Sequence, residues 1–248
     1  MQLLKNRIAV VTGASRGIGR AAALALAQAG AHIIAVARNQ KDLDELKHDI
    51  LAFKGQCTTV SLDVTDYAGV QNLSHQLQER FGKIDILFGN AGLLGDITLI
   101  HQLSLSTWDN TFAVNVTANW YFVKAFDSLL RQSDAGRVIF MSSGAAYKCN
   151  PLWGIYSISK AALEALARTY AAETSTTTPI KVMLLSPGPI RTSMRAKAVP
   201  GEDPDTLKTP EDLAPHIVKL ASPDWSETGK IYDFPAGGVV KTAGIPHV

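Results

Sequence analysis

Three residues of this 248-residue sequence could together move a proton at neutral pH if the fold brings them together. Tyr156 and Lys160 stand four residues apart in Tyr156-Ser157-Ile158-Ser159-Lys160, and Ser143 lies upstream. On a helix, positions i and i+4 leave the same face one turn apart, so a phenol would sit beside an ammonium. A tyrosine hydroxyl titrates near pH ~10 and is a poor acid or base at neutral pH. A positive charge at about 4 Å, in an effective dielectric near 20, favours the phenolate by roughly 4 kcal/mol, or ~3 pKa units. The expectation is a tyrosine lowered toward the range of general acid–base work, with Ser143 hydrogen-bonding the oxygen of a carbonyl or alcohol. Alone the spacing is weak, because an aromatic beside a solvated lysine is the commoner meaning of such a pair.

The elements that must position these residues can be read in order. Ile8-Ala9-Val10-Val11 is an apolar run that reads as a strand buried on both faces, as in a parallel sheet. It is followed by Thr12-Gly13-Ala14-Ser15-Arg16-Gly17-Ile18-Gly19 and an alanine-rich helix through Ala29. Strand, glycine turn and helix are the context in which free N–H groups and the positive end of a helix receive a pyrophosphate. The other meaning of the turn is a plain strand-to-helix connection.

A second strand, His32–Ala37, ends at Arg38 where an acidic residue would accept from a ribose 2′-hydroxyl. Arginine there suits a 2′-phosphate, and Arg16 could flank the same group. A helix over 41–53, a strand over 59–62 ending at Asp63-Val64, and a helix to about Phe81 with Thr65 as its cap come next. The strand over 84–88 ends in Asn90-Ala91-Gly92, small residues that let a ligand come close.

One long helix is expected over 106–130, with Asn115 inside it as a kink, a buried polar link or an outward-facing side chain. A strand over 137–141 closes at Ser142-Ser143-Gly144, and the Tyr156 helix runs to about Thr174. The strand over 181–185 leads to Pro187-Gly188-Pro189. The polar segment over 191–212 reads as a lid, whose Arg191, Arg195 and Lys197 either meet an anionic substrate or cover a solvated face. A helix over 211–221 and a strand over 230–234 complete an alternation that makes the class α/β, one domain over 1–248. Ligands in such sheets bind beyond the carboxyl ends of the strands, where Gly13, Arg38, Asp63 and Asn90 all fall.

The composition sets limits on partners. The chain is 46% hydrophobic and 19% charged with a net charge of +2, and no dense Lys/Arg run suggests nucleic acid or an anionic membrane. Cys57 and Cys149 form no metal or redox motif, so no metal is expected. The apolar part of the N-terminus is too short for a signal peptide, and no run approaches the ~20 residues of a membrane span. A cytoplasmic protein is the expectation.

Taken as an ordered set, these residues resemble the short-chain dehydrogenase/reductase family over nearly the whole chain. The matching pieces are Thr12-Gly13-x-x-x-Gly17-x-Gly19, Asp63, Asn90-Ala91-Gly92, Asn115, Ser143, Tyr156-x-x-x-Lys160 and Pro187-Gly188. The segment from Arg191 through Asp212 is similar to a little-characterised bacterial, YciK-like branch. The resemblance implies a single Rossmann-type domain with a doubly wound, seven-stranded parallel sheet and helices on both faces, assembled as a homotetramer or homodimer. It implies Tyr156 as acid/base, Ser143 orienting the substrate oxygen, and Lys160 lowering the tyrosine and binding the nicotinamide ribose. Asn115 would hold a water of a proton relay. The cofactor would meet Gly13, Ser15, Arg16, Gly17, Ile18, Gly19 and Arg38, with Asp63 and Val64 at the adenine. Asn90, Ala91, Gly92, Pro187 and Gly188 would line the cleft, and Ile190 and Thr192 would hold the carboxamide. Ala236-Gly237-Gly238 and Ser186-Pro187-Gly188 depart mildly from the family's usual wording.

The function expected is NADP(H)-dependent hydride transfer between nicotinamide and a small-molecule carbonyl or secondary alcohol, with 3-oxoacyl thioesters as one class and NAD(H) disfavoured. A nucleotide-sensing regulator on the same fold is the alternative, since fold does not fix function.

Overall fold

Strand β1 (Ile8–Thr12) is buried along its whole length, as are β4 (Ile86–Gly89) and all of β2 (His32–Ala37) except His32. The computed structural model describes residues 3–240. Within them the chain alternates β1, α1 (Gly17–Gln28), β2, α2 (Gln40–Ala52), β3 (Gln56–Ser61), α3 (Tyr67–Phe81) and β4. Then come α4 (Leu105–Phe112), α5 (Ala118–Arg131), β5 (Arg137–Met141), α6 (Ala145–Lys148) and α7 (Gly154–Thr174). The chain continues through β6 (Lys181–Ser186), α8 (Ser193–Ala198), α9 (Pro210–Ala221), β7 (Lys230–Asp233) and β8 (Gly238–Val240).

The strands lie in the order β3-β2-β1-β4-β5-β6-β7-β8, parallel from β3 to β7. Strand side chains alternate between the two faces, and the core divides accordingly. Ala9, Val11, Ile33, Ala35, Ile139 and Met141 pack with Leu26, Leu46 and Ile217 from α1, α2 and α9. Val10, Ile34, Val36, Val138 and Phe140 pack with Leu73, Phe126 and Leu163 from α3, α5 and α7.

Three expectations need correction. The sheet has eight strands among the described residues, because a turn after Asp233 brings β8 back antiparallel to β7. The helix expected over 106–130 is two helices joined by a π-helical turn, Ala113–Thr117, with Asn115 fully buried in it. The extra residue of a π turn re-aims the helix at that point, as such turns at functional sites do. Helix α3 is capped by Asp66, whose carboxylate accepts from Gly69 N, and Thr65 instead donates to Asp63. Phe122, Leu163 and Tyr170 fill the chain's own core, while Trp120 remains 45% exposed. Residues 241–248 of the domain predicted over 1–248 lie outside the described residues, as do Met1 and Gln2. No described helix is long and apolar enough to cross a membrane.

At the amino ends of the central strands, Asp85 is completely buried and accepts from Arg7 (2.9 Å), Lys83 (2.9 Å), Ser133 (2.6 Å) and the Ile8 amide (2.9 Å). This cluster ties β1 to the segment before β5, far from the strand ends that carry the site. Asp85→Ala leaves the buried Arg7 without that partner and is expected to lower stability by about 3–5 kcal/mol. Urea unfolding measures this; a change of less than about 1 kcal/mol would mean the cluster does not hold the strands.

Candidate active site

All the expected strand-end residues converge on one cleft of about 320 Å³ at the carboxyl edge of the sheet. At its β1 end the chain enters α1 through a glycine turn. Gly13 has φ +64, and a Cβ there would approach the Ala91 backbone at 3.0 Å. Thr12 Oγ1 accepts from the amides of Asn90 (2.9 Å) and Ala91 (3.1 Å), and Asn90 Nδ2 returns a bond to Thr12 O (3.0 Å). The turn and the β4 end are thereby knitted into one edge. Gly13, Ser15, Arg16, Gly17 and Ile18 line the cleft here, with Arg38, Asp63 and Val64 beside them. Asp63 is held below the usual carboxylate range chiefly by the Thr65 amide and hydroxyl, and Arg38 lies 3.8 Å away.

At the other end, Ser143 leaves β5 and Tyr156 and Lys160 rise from α7 into the same cleft. Lys160 is 3% exposed, and its ammonium donates to Met141 O at 2.7 Å. Its Nζ lies 5.6 Å from the centre of the Tyr156 ring. Burial lowers the lysine to about 8, with Glu164 acting in the opposite direction. Burial likewise pushes the Tyr156 phenol above its ordinary value, and Ser143 partly offsets this. The expected lowering of Tyr156 is therefore not what the geometry gives. The lysine charge is directed at a backbone carbonyl, and loss of water penalises the phenolate more than neighbours favour it.

Pro187, Gly188, Ile190 and Thr192 close the third side, followed by Ser193, Met194, Arg195 and Ala198 of the lid. The Thr192 hydroxyl caps α8 by accepting from Arg195 N (3.2 Å). Arg195 makes two 2.6 Å bonds to Glu202, and Arg191 pairs with Asp205 at 2.9 Å. Two of the lid cations thus face the lid's own acids.

Comparison with known sequences accounts for this arrangement. The sequence model described as short chain dehydrogenase matches residues 7–203. The chain belongs to the short chain dehydrogenase family. It is 36% identical to an uncharacterised oxidoreductase, YciK, of Escherichia coli, over 95% of this chain and 94% of that one. It is 33% identical to a 3-oxoacyl-[acyl-carrier-protein] reductase of Synechocystis, over 78% of each. A Shigella flexneri structure described as a short chain dehydrogenase complexed with NADP superposes with a TM-score of 0.88 at 34% identity, covering 94% of this chain and 98% of that one.

This short chain dehydrogenase holds two of the predicted site residues behind the cleft wall. A Cβ on Gly19 would fall 2.2 Å from Gly13 O, so this glycine permits the helix to approach the turn. Asn115 Oδ1 accepts from Leu93 N (2.7 Å), and its Nδ2 donates to Leu93 O and Ser159 Oγ (both 2.9 Å). Ser159 in turn donates to Tyr156 O at 2.8 Å. The asparagine is the buried link among the expected readings, joining the loop after β4 to the helix that bears Tyr156.

Sequence reasoning did not single out Leu93, Leu94 and Trp153, which form an apolar wall of the cleft. The Trp153 ring stands edge-on to Tyr156 at 6.0 Å, and its segment bridges Thr98 of the loop after β4. Their only sequence signal is proximity to Gly92 and Tyr156.

Asn115→Ala would strand the Leu93 amide and carbonyl, at a cost of about 1–3 kcal/mol. Its expected effect is a lower melting temperature with a loss of kcat that exceeds any change in cofactor affinity. Calorimetry and steady-state kinetics test this, and unchanged kcat would remove Asn115 from the support of Tyr156.

Proposed function

We propose that the chain is an NADP(H)-dependent oxidoreductase that interconverts a carbonyl and a secondary alcohol, with Tyr156 moving the proton. One observation carries the reading: Ser143, Tyr156 and Lys160 share a cleft with the glycine turn and arginines at the start of α1 and the end of β2. The residues fit a dinucleotide phosphate. Helix α1 has no side-chain cap and no acid in its first turn, and it is entered through the turn at Gly13, φ +64. Free N–H groups at a helix start, reached through a glycine turn, favour a phosphate. At the end of β2, Ala37 brings no carboxylate and Arg38 is a 75% exposed side chain. Two guanidinium groups, Arg16 and Arg38, would hold a 2′-phosphate. The relative complexed with NADP supports the same choice.

When bound, the nicotinamide supplies or accepts the hydride. Ser143 would donate a hydrogen bond to the substrate oxygen, and Tyr156, protonated at neutral pH, would give that oxygen its proton during reduction. The Lys160 charge would stabilise the phenolate left behind, so reduction should fail as Lys160 loses its proton above about pH 8. In oxidation the phenolate takes the proton back. The wall formed by Leu93, Leu94, Trp153, Met194 and Ala198 suits an apolar ketone, or a 3-oxoacyl thioester as in the Synechocystis relative. The sensing alternative is not favoured, because the whole proton-moving set is present.

Tyr156→Phe is expected to abolish turnover in a panel of ketones, aldehydes and acyl thioesters followed by NADPH absorbance, while NADPH titration stays close to wild type. Retention of most of the rate would end the acid/base assignment. A charge-assisted hydrogen bond contributes roughly 1.5–3 kcal/mol, so wild type should prefer NADPH to NADH by at least about tenfold. Ala37→Asp combined with Arg38→Ile should move that preference toward NADH. Equal binding of both cofactors by wild type, or no movement in the double variant, would refute the reading of Arg38.

A further inference from the structure

One carboxylate beside the proposed proton-moving residues has no part in the mechanism above. Glu164 follows Lys160 by one turn on α7 and is 8% exposed. Acidic residues are seldom buried to this degree without partners that hold them. Its Oε1 accepts from Ser142 Oγ at 2.6 Å, and its Oε2 accepts from Arg168 at 3.2 Å. Ser142 is itself 1% exposed, is bound to β6 through its amide on Leu185 O (2.8 Å), and immediately precedes Ser143. The carboxylate therefore holds the turn that carries Ser143 from a position one helical turn after Lys160.

We infer that Glu164 is a positioning residue of the reaction: it supplies the counter-charge to the buried Lys160 ammonium and, through Ser142, fixes the turn that presents Ser143. The inference rests on the proposed roles of Tyr156, Lys160 and Ser143.

The surroundings leave few other sources of charge. Around Lys160, β5 contributes the Met141 carbonyl, α7 contributes the neutral Tyr156, and the loop after β4 contributes Gly92. The π turn contributes Asn115, which is occupied with Leu93 and Ser159. Around Glu164, the turn after β5 contributes Ser142 and α7 contributes Lys160 and Arg168. Among the described residues no charged side chain hydrogen-bonds or ion-pairs with Lys160, and only Arg168 does so with Glu164. An ammonium with only a carbonyl for company would lose its proton readily on burial, and a nearby carboxylate opposes that loss. Arg168, with 40% of its side chain exposed, draws part of the carboxylate's field away from Lys160.

The two flanking charges give opposite expectations. Glu164→Gln keeps the shape and an acceptor for Ser142 while removing the charge. Its alkaline limb of NADPH-dependent kcat/KM should move down by about one pH unit, with NADPH bound more weakly on the same side. Glu164→Asp should restore part of the shift. Arg168→Leu, on the outer face of α7, should leave the rate at neutral pH unchanged and move the limb upward. The experiment measures pH profiles and NADPH fluorescence titrations of the full chain beside Tyr156→Phe. An E164Q profile that superimposes on wild type overturns the inference. If E164Q does not fold, an unmoved limb in R168L overturns it instead. A Tyr156→Phe enzyme that still turns over condemns the reading of the site, whereas a dead Tyr156→Phe with an unmoved E164Q limb condemns only the role of Glu164.

Discussion

Between β1 and β4 the sheet changes the direction in which strands are added, and everything at the site depends on the crevice this opens. The connection after β1 goes to one face through α1, and the main crossover after β4 goes to the other through α5. Loops that part in this way cannot fill the space between them, which is why ligands settle at such points in doubly wound sheets. The crevice needs a fixed width. Thr12 provides it by accepting two amides from the β4 end while Asn90 bonds back to the β1 end. Gly13 and Gly19 allow the remaining approach, since a side chain at either would meet backbone or the Asn90 amide at 3.0 Å or less.

From that edge the residues proposed to move the proton are held by a chain of buried polar contacts. Asn115 grips the loop after β4 and, through Ser159, the carbonyl of Tyr156 itself. The π turn supplies the re-aimed backbone that puts Asn115 where an uninterrupted helix would not. Each of these groups is paired, so the interior has few alternative arrangements to offer. The cost of this order is desolvation, which shifts both Lys160 and Tyr156 toward their neutral forms. A neutral phenol is the form needed to donate a proton, so burial suits the reducing direction. A charged lysine is needed to receive the phenolate, so burial works against that half unless a counter-charge lies near.

How much of this the sequence revealed follows from what each signal measures. Strand runs such as Ile8–Val11 and Arg137–Met141 were legible because burial on both faces demands continuous apolar residues. The glycine turn and the Tyr156–Lys160 pair were legible because their chemistry is local to a few residues. A kink at Asn115 was among the readings, but the π turn at Ala113–Thr117 was not legible, because only the tertiary bond between Asn115 and Leu93 makes the extra residue useful. The titration of Tyr156 was misjudged for a related reason. Spacing gives the distance between two side chains but not the water each has lost, and here the lost water decides the sign. Strand β8 hung on the turn after Asp233, where the departure from the family's wording obscured the geometry.

The lid shows how the same logic bears on the substrate. Counted as charges alone, Arg191 and Arg195 could meet an anion or cover a solvated face. In the fold, Asp205 and Glu202 answer them from the far side of the lid, and Glu202 is itself held below the usual carboxylate range by Arg195. These pairs fasten α8 to the segment behind it, while Ile190 bridges Lys208 and pins the lid's base. An anionic substrate would have to compete with two acids already bound to those cations. The surface left facing Tyr156 is then the one without formal charge: Trp153 edge-on to the phenol, Leu93 and Leu94 beside it, and Met194 from the lid. Apolar walls discriminate weakly by single methylene groups but strongly against unpaired charge. Under the proposed function, selectivity would then be set by the shape of the apolar part of the substrate and by exclusion of anions, with Ser143 and Tyr156 holding the carbonyl oxygen.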